Sequence, residues 1–382
     1  MTRKINMADP HFNEEDRKRI HREIDAILDG ALSMGPNVHA FEKEFAARVG
    51  VRHAVAMNSC TAALEAALLA YGVTGREVIV PAETFIATGM AVHMTGGTPV
   101  FAEISASSLC LDLEDVKRKV NARTAGIILV HMAGLLSPEV TEFRLYCDAH
   151  GLFLIEDAAH SPGARSAGKE AGTFGHAACF SFFPTKVITA GEGGMLTTDD
   201  DAIAASARSY LNRGRDMEAP VERYLNPGRN ARMTEMSALL GRVQLSHLDE
   251  YLARRRQVAA IYRDALTDAQ GIQLVLPGDL ECSSFWKVPL LLAPGLDRTV
   301  ITERMAAANI AVDWAYQPAM HLQPVFRTLY GYSEGLLPCT EDLLSRHLCL
   351  PCHPRISDEE ALRVADVLRA AVADSSSREA GK

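Results

Sequence analysis

The sequence predicts an α/β protein with a large domain built on a mostly parallel central sheet and a smaller α+β C-terminal domain. Three observations carry that expectation. From about residue 50 to 200, short apolar runs alternate with helix-like segments, the pattern of strand–helix units layered on one sheet. Most of those runs are near-continuously apolar, as expected of strands covered by helices on both faces. From Met233 the pattern changes to one long helical stretch and then a mixed region. A length of 382 residues leaves room for two domains.

In chain order the strands are expected at Ala54–Met57, Val78–Pro81, Thr98–Phe101, Ile127–His131, Phe153–Glu156, Ala178–Phe182 and Gly194–Thr198. The helices between and after them are expected at Thr61–Tyr71, Ile86–Met94, Leu113–Lys119, Val140–His150 and Ala202–Leu211. Met233 to Ala265 reads as helix, with apolar Leu239, Val243, Leu245, Leu248, Leu252, Val258 and Ile261; its Arg254-Arg255-Arg256 run is expected on a solvated face. Beyond it come a strand at Phe285–Leu292, a helix at Val300–Asn309, and a last helix at Asp358–Val372 opened by a Ser357/Glu360 capping box. The expected division is an N-terminal arm over 1–15, a large domain over 16–250, a small domain over 251–373 and a tail of disordered composition over 374–382.

Composition narrows the function. Hydrophobic residues at 48% and charged residues at 23% describe a globular chain that buries its own core. A net charge of −9 opposes a phosphate backbone, so no nucleic-acid partner is expected. No run approaches the roughly 20 apolar residues that span a bilayer, and the charged start lacks a signal peptide's apolar stretch. The expected setting is therefore the cytoplasm, without a membrane partner. The eight scattered cysteines fit reduced thiols. Cys349-Leu-Pro-Cys-His353 matches a haem-attachment pattern, but that chemistry needs export, and a zinc site would need a second cysteine pair; no metal is expected.

Ligands of parallel sheets gather at the carboxyl ends of strands. After the first strand, Asn58-Ser59-Cys60-Thr61 turns into a helix whose free N–H groups suit an anion; an ordinary helix cap is the plain alternative. After the second, Phe85 offers a ring to a planar ligand or to the core. Asp157 and His160 follow the fifth, where a buried carboxylate suits a protonated heterocyclic nitrogen or caps the next turn. Ser181 lies at the end of the sixth and Lys186 follows it, ahead of Gly191-Glu192-Gly193-Gly194, where a partly desolvated amine becomes a nucleophile. A planar phosphorylated aldehyde with a protonated ring nitrogen would use all four ends, and pyridoxal 5'-phosphate is such a molecule.

These residues resemble the DegT/DnrJ/EryC1/StrS sugar aminotransferases, of the type I aspartate aminotransferase fold, from about Ala31 to Val372. The resemblance rests on Ser59–Leu64, Glu156–His160, Phe180–Lys186 with Gly191–Gly194, Asn230–Met236, His321–Pro324 and Leu350–Pro354. It implies that Lys186 forms an internal aldimine with pyridoxal 5'-phosphate and that Asp157 pairs with the ring nitrogen. By the same likeness His160 lies near the phenolic oxygen, Phe85 stacks on the ring, and the block of Ser59, Cys60 (through its N–H) and Thr61 holds the phosphate with Ser181. Asn230 would reach the phosphate of a neighbouring subunit, which implies a homodimer with sites at its interface. Tyr316, Gln317 and His321 fall in a segment resembling the family's substrate side, with core or surface roles as alternatives. The sequence departs from the family at Cys60, often glycine, and Ala231, often aromatic.

The implied reaction carries an amino group from L-glutamate, or L-glutamine, to a keto-sugar, in particular a nucleotide-linked keto-deoxyhexose. A cyclitol ketone of the scyllo-inosose type, or aminohydroxybenzoate synthesis on the same fold, is the alternative that His131–Gly134 and Thr189–Glu192 leave open. Lys186 argues against the dehydrating members, which carry histidine there, and with Asp157 against a non-catalytic sensor or structural homologue. Neither a strand-linked G-x-G-x-x-G nor a G-x-S-x-G elbow supports an oxidoreductase or hydrolase.

Overall fold

The computed structural model describes residues 3–379, with side chains to residue 375. Twelve strands are named in chain order: β1 (His53–Met57), β2 (Glu77–Pro81), β3 (Thr98–Ala102), β4 (Thr124–Val130), β5 (Phe153–Asp157), β6 (Arg165–Ser166), β7 (Lys169–Glu170), β8 (Ala177–Ser181), β9 (Gly194–Thr198), β10 (Ile272–Leu274), β11 (Val288–Leu292) and β12 (His347–Leu350). The central sheet has seven strands in the order β1-β9-β8-β5-β4-β2-β3. Only β9 runs against its neighbours β1 and β8, so β1, β2, β3, β4, β5 and β8 share one direction. Every residue of β2, β4, β5, β8 and β9 is buried, which is why these strands read as largely apolar runs with polar residues toward their ends.

The expected strands of the large domain all form, within one to three residues at each end, and so do the five helices between and after them. Their caps were chosen by sequence: Asp112 accepts from Asp115 N–H at 2.8 Å, and Asp200 from Ala202 N–H at 2.7 Å. The helix Cys60–Ala70 lies on the sheet with five small positions buried beneath it, Cys60, Ala62, Ala63, Ala66 and Ala67. Two further helices, Glu14–Leu28 and Pro36–Val49, precede β1.

Three expectations change. The stretch from Met233 to Ala265 is two helices, Glu235–Ser246 and Leu248–Leu266, separated at His247, whose Nε2 lies 2.8 Å from Asp16 Oδ1 of the first helix. The arginine run is not a solvated face. Arg255 is buried, and its guanidinium donates to the carbonyls of Phe285, Trp286 and Cys352, while Arg254 reaches Ile356 O and Arg256 reaches Gly163 O. The boundary expected at 250 falls in the first turn of Leu248–Leu266, whose Leu248, Tyr251 and Leu252 pack on the large-domain core while Val258, Ala259, Tyr262 and Leu266 pack on the small-domain core.

The small domain is a three-stranded antiparallel sheet, β10-β11-β12, covered by the helices Leu248–Leu266, Arg298–Ala307 and Asp358–Glu379. Its first strand residue is Val288 rather than Phe285, because Phe285 has φ +48°, a left-handed backbone that cannot continue a ladder. The capping box at Ser357 and Glu360 is reciprocal, at 3.0 and 3.1 Å. The tail expected from residue 374 instead prolongs the last helix to Glu379, since Arg304 pairs with Asp374 and Ser375 Oγ accepts from Asp297 N–H at 3.2 Å; residues 380–382 lie outside the described residues. The N-terminal arm joins this domain through Ile5, which pairs with Ile310 and packs into its core. Among the described residues no helix is long and apolar enough to cross a membrane.

One buried charge locks the sheet beside the candidate site. Glu156 on β5 is fully buried and accepts from Gly172, Phe174 and Gly175 N–H at 2.6–2.8 Å, and its Oε2 lies 2.8 Å from His131 Nε2. Glu156→Ala strands all of these donors without water, so a loss of about 3–5 kcal/mol in unfolding free energy is expected, read by urea denaturation.

Candidate active site

Because the parallel strands share one direction, the ends of β1, β2, β5 and β8 open on one side of the sheet, and there they enclose a cavity of about 420 Å³. Ser59, Cys60, Thr61, Phe85, Asp157, His160, Ser181, Lys186 and Tyr316 all line it. Residues up to 257 apart in sequence thus meet at one place, as the strand-end argument requires.

At the end of β1, Ser59 takes an extended backbone (φ −164°) and caps the helix Cys60–Ala70. Its Oγ accepts from Ala62 N–H at 3.1 Å and its carbonyl from Ala63 N–H at 3.2 Å. That leaves the N–H groups of Cys60 and Thr61 without an acceptor among the described residues, beside the Thr61 hydroxyl, at the positive end of an 11-residue helix. Ser181 closes the same corner, since Met57 and Ser181 both face Gly194 across the sheet. A Cβ on Gly194 would collide with the backbone of Ser59 and Cys60, so glycine is what lets β9 approach this turn. The Cys60 side chain points into protein, where burial pushes its thiol well up and keeps it unreactive; the anion corner is made of backbone, which the departure from glycine leaves intact.

Asp157 ends β5 and is buried. Its Oδ2 accepts from the Thr88 hydroxyl at 2.9 Å and its Oδ1 from Ala159 N–H at 3.2 Å, while Thr88 in turn lies 2.9 Å from Thr84 Oγ1. Burial raises its pKa, against the pull of Thr88, Ala159, Lys186 and His131. Such a carboxylate gains most from a cationic group brought into the cavity.

Lys186 follows β8 on a turn in which its N–H donates to Phe183 O at 2.9 Å. Its Nζ lies 4.4 Å from the centre of the Trp286 ring. Burial lowers its pKa to about 8, Lys287 adds to the lowering, and Asp157 and Cys60 oppose it. An amine in that range is partly neutral near physiological pH and nucleophilic. Phe85 stands at the mouth, 55% exposed, so it is free to cover a ligand rather than to fill the core.

Three expected residues lie elsewhere. His321 is fully buried against Phe101 with Nε2 3.0 Å from Glu341 Oε1, a core histidine with no surface on the cavity. Gln317 is exposed and accepts from Arg298. Asn230 is exposed and bridges to Asn212, away from the cavity wall. Conversely, Thr88, Glu192 and Trp286 line the cavity without having been singled out as ligands. Thr88 was within reach, being three residues past Phe85 and hence on the first turn of an otherwise apolar helix; Trp286, one of two tryptophans, carried no local signal.

The DegT/DnrJ/EryC1/StrS aminotransferase family model matches residues 14–369. The chain belongs to that family. Among its relatives, the spore coat polysaccharide biosynthesis protein SpsC of Bacillus subtilis (strain 168) is 35% identical over 92% of this chain and 94% of that one. GDP-perosamine synthase of Vibrio cholerae is 32% identical over 96% of this chain and 98% of its own length. The solved structure of DesI in the presence of its TDP-sugar product superposes with a TM-score of 0.89 at 33% identity, covering 100% of this chain and 96% of that chain. This DegT-family chain is therefore a pyridoxal-phosphate-dependent aminotransferase with the type I fold. Its cavity fits that cofactor: unpaired N–H donors at a helix start for the phosphate, a buried carboxylate for the ring nitrogen, and a lysine of lowered pKa for the aldehyde.

Proposed function

We propose that the protein transfers the amino group of L-glutamate to a nucleotide-linked keto-sugar, a keto-deoxyhexose, with Lys186 as the lysine that binds the cofactor covalently. The observation that carries this reading is the placement of Lys186 and Asp157 in one cavity with the N–H groups of Cys60 and Thr61. Bound there, pyridoxal phosphate supplies an electron sink for a carbanion. The chain's own residues do the rest. Asp157 holds a proton on the ring nitrogen, Cys60, Thr61, Ser59 and Ser181 seat the phosphate, Phe85 covers the ring, and His160 serves the phenolic oxygen. Once displaced by an incoming amine, Lys186 Nζ takes and returns the proton at the substrate carbon.

The substrate class is supported by the relatives, one named GDP-perosamine synthase and another holding a TDP-sugar. A diphosphate needs cations, and among the described residues lining the cavity Lys186 is the one ammonium, with Asp157 and Glu192 as carboxylates. Those cations are supplied by a second copy in a homodimer. Supporting this, Asn230 stands outside its own chain's cavity on a segment bearing the exposed Arg213, Arg215 and Arg229. The cytoplasm is the working compartment, in keeping with eight free cysteines, six of them buried.

The test is to load the protein with pyridoxamine phosphate and present nucleotide-linked keto-sugars and cyclitol ketones, then regenerate it with glutamate or glutamine. Amination of a nucleotide-linked keto-sugar with turnover on glutamate is expected. Turnover of scyllo-inosose with no keto-sugar activity would assign the protein to cyclitols instead.

A further inference from the structure

His160 is held by residues that come from the far end of the chain. Its ring stacks on Trp286 with centres 3.9 Å apart and planes 12° apart, and its Nε2 lies 2.9 Å from the Tyr316 hydroxyl. Its carbonyl accepts from Ser284 Oγ at 2.6 Å. Trp286 is itself fixed by donating Nε1–H to Thr185 O at 2.6 Å, next to Lys186. Tyr316 has φ +62°, a left-handed backbone uncommon outside glycine, and its ring runs parallel to the imidazole at 9°. What remains is His160 Nδ1, which is buried and without a hydrogen-bond partner.

The proton count decides how this contact is oriented. Burial, with the ammonium groups of Lys186 and Lys287 and the imidazole of His131 around it, drives the His160 pKa well down, so the ring is neutral and carries one N–H. Burial also keeps the Tyr316 phenol protonated. If Nε2 carried the proton, both the Tyr316 O–H and the Nδ1 lone pair would lack a partner. If Tyr316 donates to Nε2, one unpaired group is left, an Nδ1–H donor, and the arrangement with fewer unpaired buried groups is favoured.

We infer that Tyr316 is a positioning residue that, by donating its hydroxyl to Nε2 while Trp286 fixes the ring plane, sets His160 in the tautomer whose Nδ1–H serves the phenolic oxygen of the cofactor. This rests on the cofactor placement proposed above. It gives Tyr316 a task other than gripping the substrate, and it makes the electron distribution of the cofactor depend on the packing of the small domain against the large one. The charged neighbours do not supply this effect: Lys287 is engaged by Asp313 at 2.6 Å, and Lys186 is the group that binds the cofactor.

Two measurements on Tyr316→Phe test it, neither of them an activity. In the cofactor-free protein, 15N NMR of the imidazole nitrogens reports the tautomer, with the His160 signal identified by its loss in His160→Asn. The unsubstituted protein should show protonated Nδ1, and Tyr316→Phe a shift toward protonated Nε2. In the protein loaded with pyridoxal phosphate, the pH titration of the visible absorption should move up by roughly one pH unit in Tyr316→Phe, as expected when an anionic oxygen loses a donor, and Tyr316→Phe should add nothing in a His160→Asn background. A tautomer unchanged by Tyr316→Phe overturns the inference whether or not cofactor binds. An unchanged titration accompanied by a raised KM for the sugar also overturns it, and returns Tyr316 to the substrate. Absence of visible absorption in the loaded, unsubstituted protein defeats the cofactor placement separately.

Discussion

On the proposed assignment, Lys186→Ala should abolish transamination, with a loss of roughly 10⁴-fold or more, because one amine would both anchor the cofactor and move the proton between the substrate carbon and the cofactor's exocyclic carbon. Borohydride reduction of the loaded protein, followed by digestion and mass spectrometry, should place the pyridoxyl adduct on Lys186 and find none in the variant. Lys287 is the control, since it is the other ammonium against Trp286, at 4.2 Å, yet it is held by Asp313 and does not line the cavity. Lys287→Met should therefore keep the adduct on Lys186. The pH dependence separates a prepared amine from an ordinary one. Burial favours the neutral form of Lys186 and brings its pKa from 10.5 to about 8. Only the neutral amine attacks an aldehyde, so capture of pyridoxal phosphate by the cofactor-free protein should be slow at low pH, rise through pH 8 and level off above it. A rate still climbing toward pH 10.5 would show a solvated lysine. An adduct on Lys287 would misassign the catalytic amine altogether.

The sheet and the site were readable from the same signal. Strands buried on both faces are largely apolar along their length, and residues at or just past their carboxyl ends, Ser59 after β1, Phe85 after β2, Asp157 on β5 and Ser181 on β8, line the cavity. What escaped has physical reasons. The helix Glu14–Leu28 buries only Asp16 and Ile27 fully, so its apolar period is faint, although the reciprocal Asn13/Asp16 box at 2.9 Å stood in the sequence as a start signal. His321 was read by its neighbours in the chain, but its role is set by Phe101 and Glu341, which no local pattern connects to it. Arg255 misled for the converse reason. Charge predicts solvent, and here three backbone carbonyls at the joint between the two cores take its place. Trp286 and Thr88 show the general limit: each acts through a residue distant in sequence, His160 in one case and Asp157 in the other.

Asp157→Asn should lower the rate by about 10²–10³-fold or more while leaving the fold intact, and the combination of these two outcomes is what tells catalysis from architecture. Asparagine has the shape of aspartate, and its Oδ1 can still accept from Thr88 or from Ala159 N–H, the partners that hold the carboxylate at 2.9 and 3.2 Å. It has no charge with which to keep a proton on the ring nitrogen, so the cofactor binds but withdraws electrons poorly. The stability effect runs the other way. The pKa of Asp157 is raised by burial, so the folded protein pays to ionise it, and that penalty grows as pH rises through the ordinary carboxylate range. At neutral pH the cofactor-free Asp157→Asn protein should consequently be no less stable than the unsubstituted one, as read by thermal unfolding at several pH values. The stability advantage of the variant should shrink as pH falls below the ordinary carboxylate range, where the aspartate is protonated in both folded and unfolded chains. If Asp157 were only the cap of the turn at Ala159, the signs would invert: stability would drop in the cofactor-free protein and the rate per loaded site would hold. On the proposed assignment, the stability that ionising this carboxylate costs the cofactor-free protein is offset by the cation that the cofactor brings.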